Sequence, residues 1–249
     1  MKRFALLATL AFALAATPAS RTPLPHGFVY LADVAPTIVQ DIRYAGAHNL
    51  VGRPLPGYVA PLCIVTVEAA RALAKVQAEL TDNGLTLRVY DCYQPKRATN
   101  ALLAWSHDPS DQRLKDEYYP RVAKSELFAQ GYLLASPPNA RGSAVALTVE
   151  RLGLASPLPW VPGQHSCIAP FVERYHDGSI DMGTNFGCMD PFSHTSQNLG
   201  AIANTHRAML VDLMTKYGFK PFGALWWNFV LASEPFPKTT FDFPIIAKP

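Results

Sequence analysis

The residue types that carry chemistry are thinly spread along this chain of 249 residues. Its seven histidines are His26, His48, His107, His165, His176, His194 and His206. No two stand at i and i+4, so the helical HExxH pair that holds a hydrolytic zinc is absent. No GxSxG elbow presents a serine nucleophile, and no glycine loop is built to cradle phosphate. His194 and His206, with Asp190 and Asp181 nearby in sequence, are the residues from which an unconventional metal-dependent hydrolytic site would be assembled. Scattered histidines are commoner as ordinary surface residues, which makes this the weaker expectation.

The four cysteines, Cys63, Cys92, Cys167 and Cys188, show no CxxC or Cys/His spacing of a zinc site. Four cysteines allow three pairings, of which Cys63–Cys92 and Cys167–Cys188 each close a loop of moderate length within one segment. Disulfides belong to an exported chain. The N-terminus agrees: Lys2 and Arg3 precede an apolar run from Phe4 to Ala16, too short to span a bilayer well, followed by small residues. Residues 1–19 are expected to be a signal peptide, with cleavage after Ala19 or after Ala15, and residues 20–249 a single domain in the periplasm or outside the cell. No stable membrane span remains after cleavage. The net charge of +3 falls to +1 without Lys2 and Arg3, and no block of like charge provides a nucleic-acid footprint. Apolar residues at 49% are enough to bury a substantial core.

The elements that must position any site can be read from periodicity. Residues 20–60 read as an arm wrapped on the domain. Cys63 to Val67 is a short strand. Thr66 then caps a helix to about Asp82, with Ala69, Leu73, Val76 and Leu80 on one face and Gly84 as its stop. Leu85, Leu87 and Val89 alternate with Thr86, Arg88 and Tyr90, which predicts a half-buried strand. Helices are expected over Lys96–Trp105, Ser125–Gln130 and Ala201–Tyr217, the last with an apolar stripe that includes Ile202, Met209, Leu213 and Met214. Strands are expected over Ser143–Val149 and Leu225–Leu231. Without regular βαβ alternation, the class is α+β.

Four segments carry a resemblance: Asp91-Cys92-Tyr93-Gln94-Pro95, the run Asn139 to Thr148, the run Asp181 to Gly187, and Leu225-Trp226-Trp227-Asn228-Phe229. In order and spacing they are similar to the motifs of the D-alanyl-D-alanine dipeptidase family of zinc peptidases. Asn49, Gly52, Arg53 and Pro54, and the closing Phe241 to Pro244, are similar as well. The resemblance covers essentially the whole chain after the leader. It implies a Hedgehog/DD-peptidase-like domain with a central antiparallel sheet flanked by helices. It also implies a zinc held by a His and an Asp in an SxHxxGxAxD pattern and by a second His in ExxH, with that Glu as general base and the Arg of DxYRP facing the transition state.

This sequence departs from the pattern at each of those places. Asn139 and Asn228 stand at the two His positions, Ala146 at the Asp, Leu225 at the Glu and Gln94 at the Arg. Asparagine is a poor zinc ligand beside imidazole, alanine is none, and leucine cannot take a proton from water. No catalytic residue is intact by this reading, the family's zinc is expected to be lost, and no cofactor replaces it. What is kept is scaffold. Tyr93, Arg141, Ser143, Asp181 and Trp227 are the candidates to line a cleft for a peptidoglycan-derived peptide or a D-Ala-D-Ala-like ligand. The alternative is an active dipeptidase with a site relocated to His194, His206, Asp190 or Asp181.

Overall fold

A computed structural model of the chain describes residues 23–154 and 159–248. The expected signal segment lies outside the described residues. Strand β1 (Phe28–Tyr30) runs into a short helix, α1 (Leu31–Val34), and then β2 (Val39–Gln40). There follow β3 (Ile64–Thr66), α2 (Val67–Thr81), β4 (Leu85–Asp91), α3 (Lys96–Ser106) and α4 (Lys115–Tyr118). The second half supplies β5 (Ala144–Arg151), α5 (Ala201–Lys216), β6 (Phe219–Pro221) and β7 (Asn228–Leu231). A five-stranded sheet has the order β2-β4-β5-β7-β6. It is antiparallel except where β2 joins β4 in parallel. A separate two-stranded pair joins β1 to β3. The architecture is α+β, as the composition of elements predicts.

Helix α2 forms where the periodicity places it. The Thr66 hydroxyl accepts from the Ala69 amide as N-cap, and Ala69, Leu73, Val76 and Leu80 are buried. Strand β4 departs from the half-buried expectation. Thr86, Arg88 and Tyr90 are buried along with Leu87 and Val89, because Thr37, Asp41 and Arg43 of the N-terminal arm, with Glu150, Asp177 and Phe186, contact the side chains that alternation assigned to solvent. The buried polar side chains are matched by partners: Gln77 donates to Thr86 at 2.8 Å and Arg88 to Glu150 at 2.7 Å.

Three further expectations are corrected. Ser125–Gln130 is not an α-helix; only a 3₁₀ turn at Lys124–Glu126 forms there, followed by turns. The last strand begins at Asn228, because Leu225, Trp226 and Trp227 belong to a turn in which the Asn228 amide donates to the Leu225 carbonyl. On α5, Leu213 and Met214 are buried as expected, but Ile202 is 65% exposed, and the packed face also runs through Ala203, Arg207 and Leu210. Among the described residues no helix is long and apolar enough to cross a membrane.

Both expected disulfides form, Cys63–Cys92 and Cys167–Cys188, with no free cysteine among the described residues. The first ties the start of β3 to the residue after β4. Gly142 is required by its backbone. At φ 78° it follows the turn Pro138–Arg141, and a Cβ there would lie 2.2 Å from the Phe28 ring.

Candidate functional site

The site is built by sheet register. Ala146 of β5 pairs with Asp91 of β4 on one side and with Asn228 of β7 on the other, so these three residues lie abreast across the sheet. The pairing is possible only because the ladder shifts between Val89, which faces Leu147, and Asp91, which faces Ala146. A regular ladder would have set Asp91 opposite Val145. Such a bulge is a common device for re-aiming a side chain beside a site.

Two loops close over this row. Pro137 and Pro138 stiffen the approach to a turn carrying Asn139, whose carbonyl accepts from the Gln94 amide at 3.1 Å. The turn at Leu225–Trp227 is pinned by the Trp226 amide on the Ser193 carbonyl and by the Trp226 indole on the Thr184 hydroxyl at 2.8 Å. Together they enclose a cavity of about 70 Å³. Asp91, Gln94, Asn139, Leu225, Trp227 and Asn228 are among its walls, with Tyr44, Tyr132 and Phe186 adding aromatic faces.

Asp91 is 4% exposed. Its carboxylate accepts from the Tyr58 hydroxyl at 2.6 Å and from Asn139 Nδ2 at 3.4 Å. Burial pushes its carboxyl up to about 7, with the hydrogen bonds from the Tyr58 hydroxyl and the Cys92 backbone pulling the other way. Asn139 Nδ2 also donates to the Cys92 carbonyl at 3.0 Å, and Gln94 Nε2 donates to the Thr99 hydroxyl at 2.7 Å. Asn228 Oδ1 is buried without a hydrogen-bond partner.

The sequence-derived positions Gln94, Asn139, Leu225 and Asn228 therefore share one cavity, with Ala146 in the row beneath. Trp227 lines the cavity too. The other four candidates for ligand contact lie outside its walls, each held by a structural partner. Tyr93 stacks on Phe243 and donates to its carbonyl at 3.1 Å. Arg141 forms a two-pronged pair with Glu234, both bonds 2.7 Å. Ser143 is buried against the Thr66 hydroxyl. Asp181 is paired with Arg174.

The residues of the relocated-site reading are dispersed in their engagements. Asp190 is fully buried against Arg121, His194 Nε2 meets the Tyr132 hydroxyl at 3.3 Å, and His206 Nδ1 meets the Asp181 carbonyl at 2.7 Å. Among the described residues no three His, Cys, Asp or Glu side chains gather closely enough to hold a metal ion.

Sequence reasoning missed the carboxylate of Asp91, although the Asp91–Pro95 motif contains it, and it missed Tyr58, which carries no local signal. It also missed a buried polar cluster behind Phe186. There Arg43 is paired with Asp177 at 3.0 Å and Asp41 at 2.8 Å, the Tyr90 hydroxyl donates to Asp177, and His48 stacks on Trp160. Burial and then the Arg43 charge push the His48 imidazole down to about 2, so it stays neutral.

The family model described as D-ala-D-ala dipeptidase matches residues 25–160 and 154–246. The chain belongs to the D-Ala-D-Ala dipeptidase family. A D-alanyl-D-alanine dipeptidase of Enterococcus faecium is 31% identical over 88% of this chain and 98% of its own length. One from Streptomyces coelicolor is 31% identical over 88% of this chain and 98% of its own, and one from Escherichia coli 26% over 82% and 83%. The four dipeptidase-family motifs are the segments that surround the cavity: Asp91–Pro95, Asn139–Thr148, Asp181–Gly187 and Leu225–Phe229 all contribute to its walls or its floor.

Proposed function

We propose that this chain is a non-hydrolytic member of the dipeptidase family, a binding protein for a small peptide-like ligand of the cell wall. The observation that carries the reading is the content of the cavity where the family motifs meet. At the positions where the family places ligands, base and arginine, its walls carry Leu225 and the amides of Gln94, Asn139 and Asn228, with the Asp91 carboxylate beside them and Ala146 beneath. A hydrolytic zinc takes three good ligands, an open position and a base for its water. Neutral amides neither hold a dication firmly nor lower the pKa of a water through it. The donor set does not fit zinc. Leu225 offers no proton acceptor, a role worth about 10²–10⁴ in rate where it is filled.

Export to the periplasm or beyond is part of the same proposal. It rests on the basic and apolar N-terminus and on the two disulfides, which persist in oxidising compartments. The test is direct. Purified protein, washed free of chelator, is assayed for bound zinc, for release of D-alanine from D-Ala-D-Ala, and by calorimetry for binding of the intact dipeptide. Binding without release of D-alanine is expected; zinc-dependent hydrolysis overturns the proposal.

A further inference from the structure

The cavity offers a buried carboxylate and, among the described residues, lacks a cation in its walls. The carboxylates of Asp177 and Glu150 pair with Arg43 and Arg88 at 3.0 and 2.7 Å, and that of Asp190 with Arg121. The carboxylate of Glu117 takes the Trp160 indole and the Gly163 amide. Asp91 is as buried as these, yet among the described residues no cationic group lies within ion-pair distance of it. Its neighbours Tyr58 and Asn139 are neutral. No Lys, Arg or His among the described residues lines the cavity that Asp91 faces. A buried carboxylate left without a counter-charge is costly, and ligand binding is one way to supply it.

The surrounding amides repeat the pattern. Asn139 and Gln94 already direct N–H groups at Cys92 and Thr99, and among the described residues the carbonyl oxygen of each has no hydrogen-bond partner. The Asn228 carbonyl oxygen is buried and unpartnered. A ligand carboxylate would meet Asp91 at close range with no cation between them. A hard divalent cation calls for several carboxylates and six or more oxygens, and one carboxylate leaves it half neutralised. An ammonium group carries one charge and three N–H donors, and it sits favourably against aromatic faces such as Tyr132, Phe186 and Trp227. The volume, about 70 Å³, is under half of the roughly 150 Å³ cavity that admits benzene, so it suits a head group with its first carbons and not a whole dipeptide.

We propose that this cavity binds the primary ammonium end of a small amine-bearing ligand, between the Asp91 carboxylate and the amide oxygens of Asn139 and Asn228. The proposal rests on the reading of the cavity as a binding site and names the chemistry it selects. The probes are D-alaninamide, which has an ammonium and no carboxylate, N-acetyl-D-alanine, which has the reverse, D-Ala-D-Ala, and potassium chloride. Calorimetry is run at about pH 7.5, where an α-amine is largely protonated. D-alaninamide and D-Ala-D-Ala should bind, N-acetyl-D-alanine at least roughly tenfold more weakly, and potassium should not compete. Asp91→Asn should weaken D-alaninamide by roughly tenfold or more with the folded circular-dichroism spectrum kept. If that variant fails to fold, Asn228→Ala should weaken the same probe several-fold. Equal binding of N-acetyl-D-alanine, displacement by potassium, or an undiminished affinity in the folded variants overturns the assignment. Binding of the dipeptide without binding of D-alaninamide overturns the ammonium assignment and leaves the cavity as a binding site. Failure of every probe to bind overturns both.

Discussion

The Tyr58 hydroxyl donates a 2.6 Å hydrogen bond to Asp91 Oδ1, in the wall of a cavity where, among the described residues, that carboxylate has no ion-pair partner. The raised carboxyl, about 7 in the fold against 3.8 for a free aspartate, has a sign that can be worked out. Between those pH values the folded state binds more protons than the unfolded state, so this group's contribution falls as pH rises through the window. In denaturant titrations, the stability of Asp91→Asn relative to the unsubstituted protein should therefore rise between about pH 4 and pH 8, by up to about 4 kcal/mol. Other carboxyls cancel in that difference. A flat or declining difference would mean that the site is wetter or better paired than its geometry indicates.

Restoring the family's residues tests whether the scaffold still supports its chemistry. Gln94→Arg, Asn139→His, Ala146→Asp, Leu225→Glu and Asn228→His place side chains around one cavity, with position 146 abreast of 228. The combined variant should bind zinc stoichiometrically, as read by metal analysis after dialysis, and the unsubstituted protein should not. Absence of zinc from a folded restored variant would show that the loops have drifted from ligand geometry.

The Cys63–Cys92 bridge closes 29 residues and holds the backbone carbonyl that Asn139 binds. Replacing both cysteines by serine should cost about 3–4 kcal/mol by the loop-entropy relation, with a matching drop in the denaturant midpoint. It should also weaken ligand binding, since the wall bearing Asp91 and Asn139 loses its tether. An unchanged midpoint would place the stabilisation elsewhere.

Asp177 anchors the cluster behind Phe186. It accepts from Arg43, the Tyr90 hydroxyl and the Ser179 hydroxyl; burial pushes its carboxyl up, and the Arg43 charge with the Ser179 and Tyr90 hydrogen bonds outweighs that and holds it below the ordinary aspartate value. Asp177→Ala leaves Arg43 short of charge and Tyr90 without its acceptor, so a loss of about 3–5 kcal/mol is expected in urea unfolding. A loss under about 1 kcal/mol would mean that Asp41 alone satisfies Arg43.

How much was legible in advance follows from what each feature depends on. The α2 helix, with its Thr66 cap and apolar stripe, is written in a contiguous stretch, and so are the β4 and β5 strands; local periodicity and capping chemistry sufficed. The family pattern placed Gln94, Asn139, Leu225 and Asn228 at one site from order and spacing, and both disulfides followed from loop closure. The burial of Thr86, Arg88 and Tyr90 was not legible, because it depends on a distant arm covering the second face of β4. Nor was the short last strand, since Leu225–Trp227 is held as a turn by Ser193 and Thr184, which lie far off in the chain. The sequence by itself determined the α+β class, most of its elements and the identity of the residues at the motif positions, and it favoured the disulfide pairing that forms. Only the tertiary structure decided that a bulge after Val89 would bring Asp91 beside Ala146, and that Tyr58, with no signal of its own, would meet it. Local pattern records how each residue sits on its own element. A ladder shift and a contact across 33 residues exist only once the strands have paired.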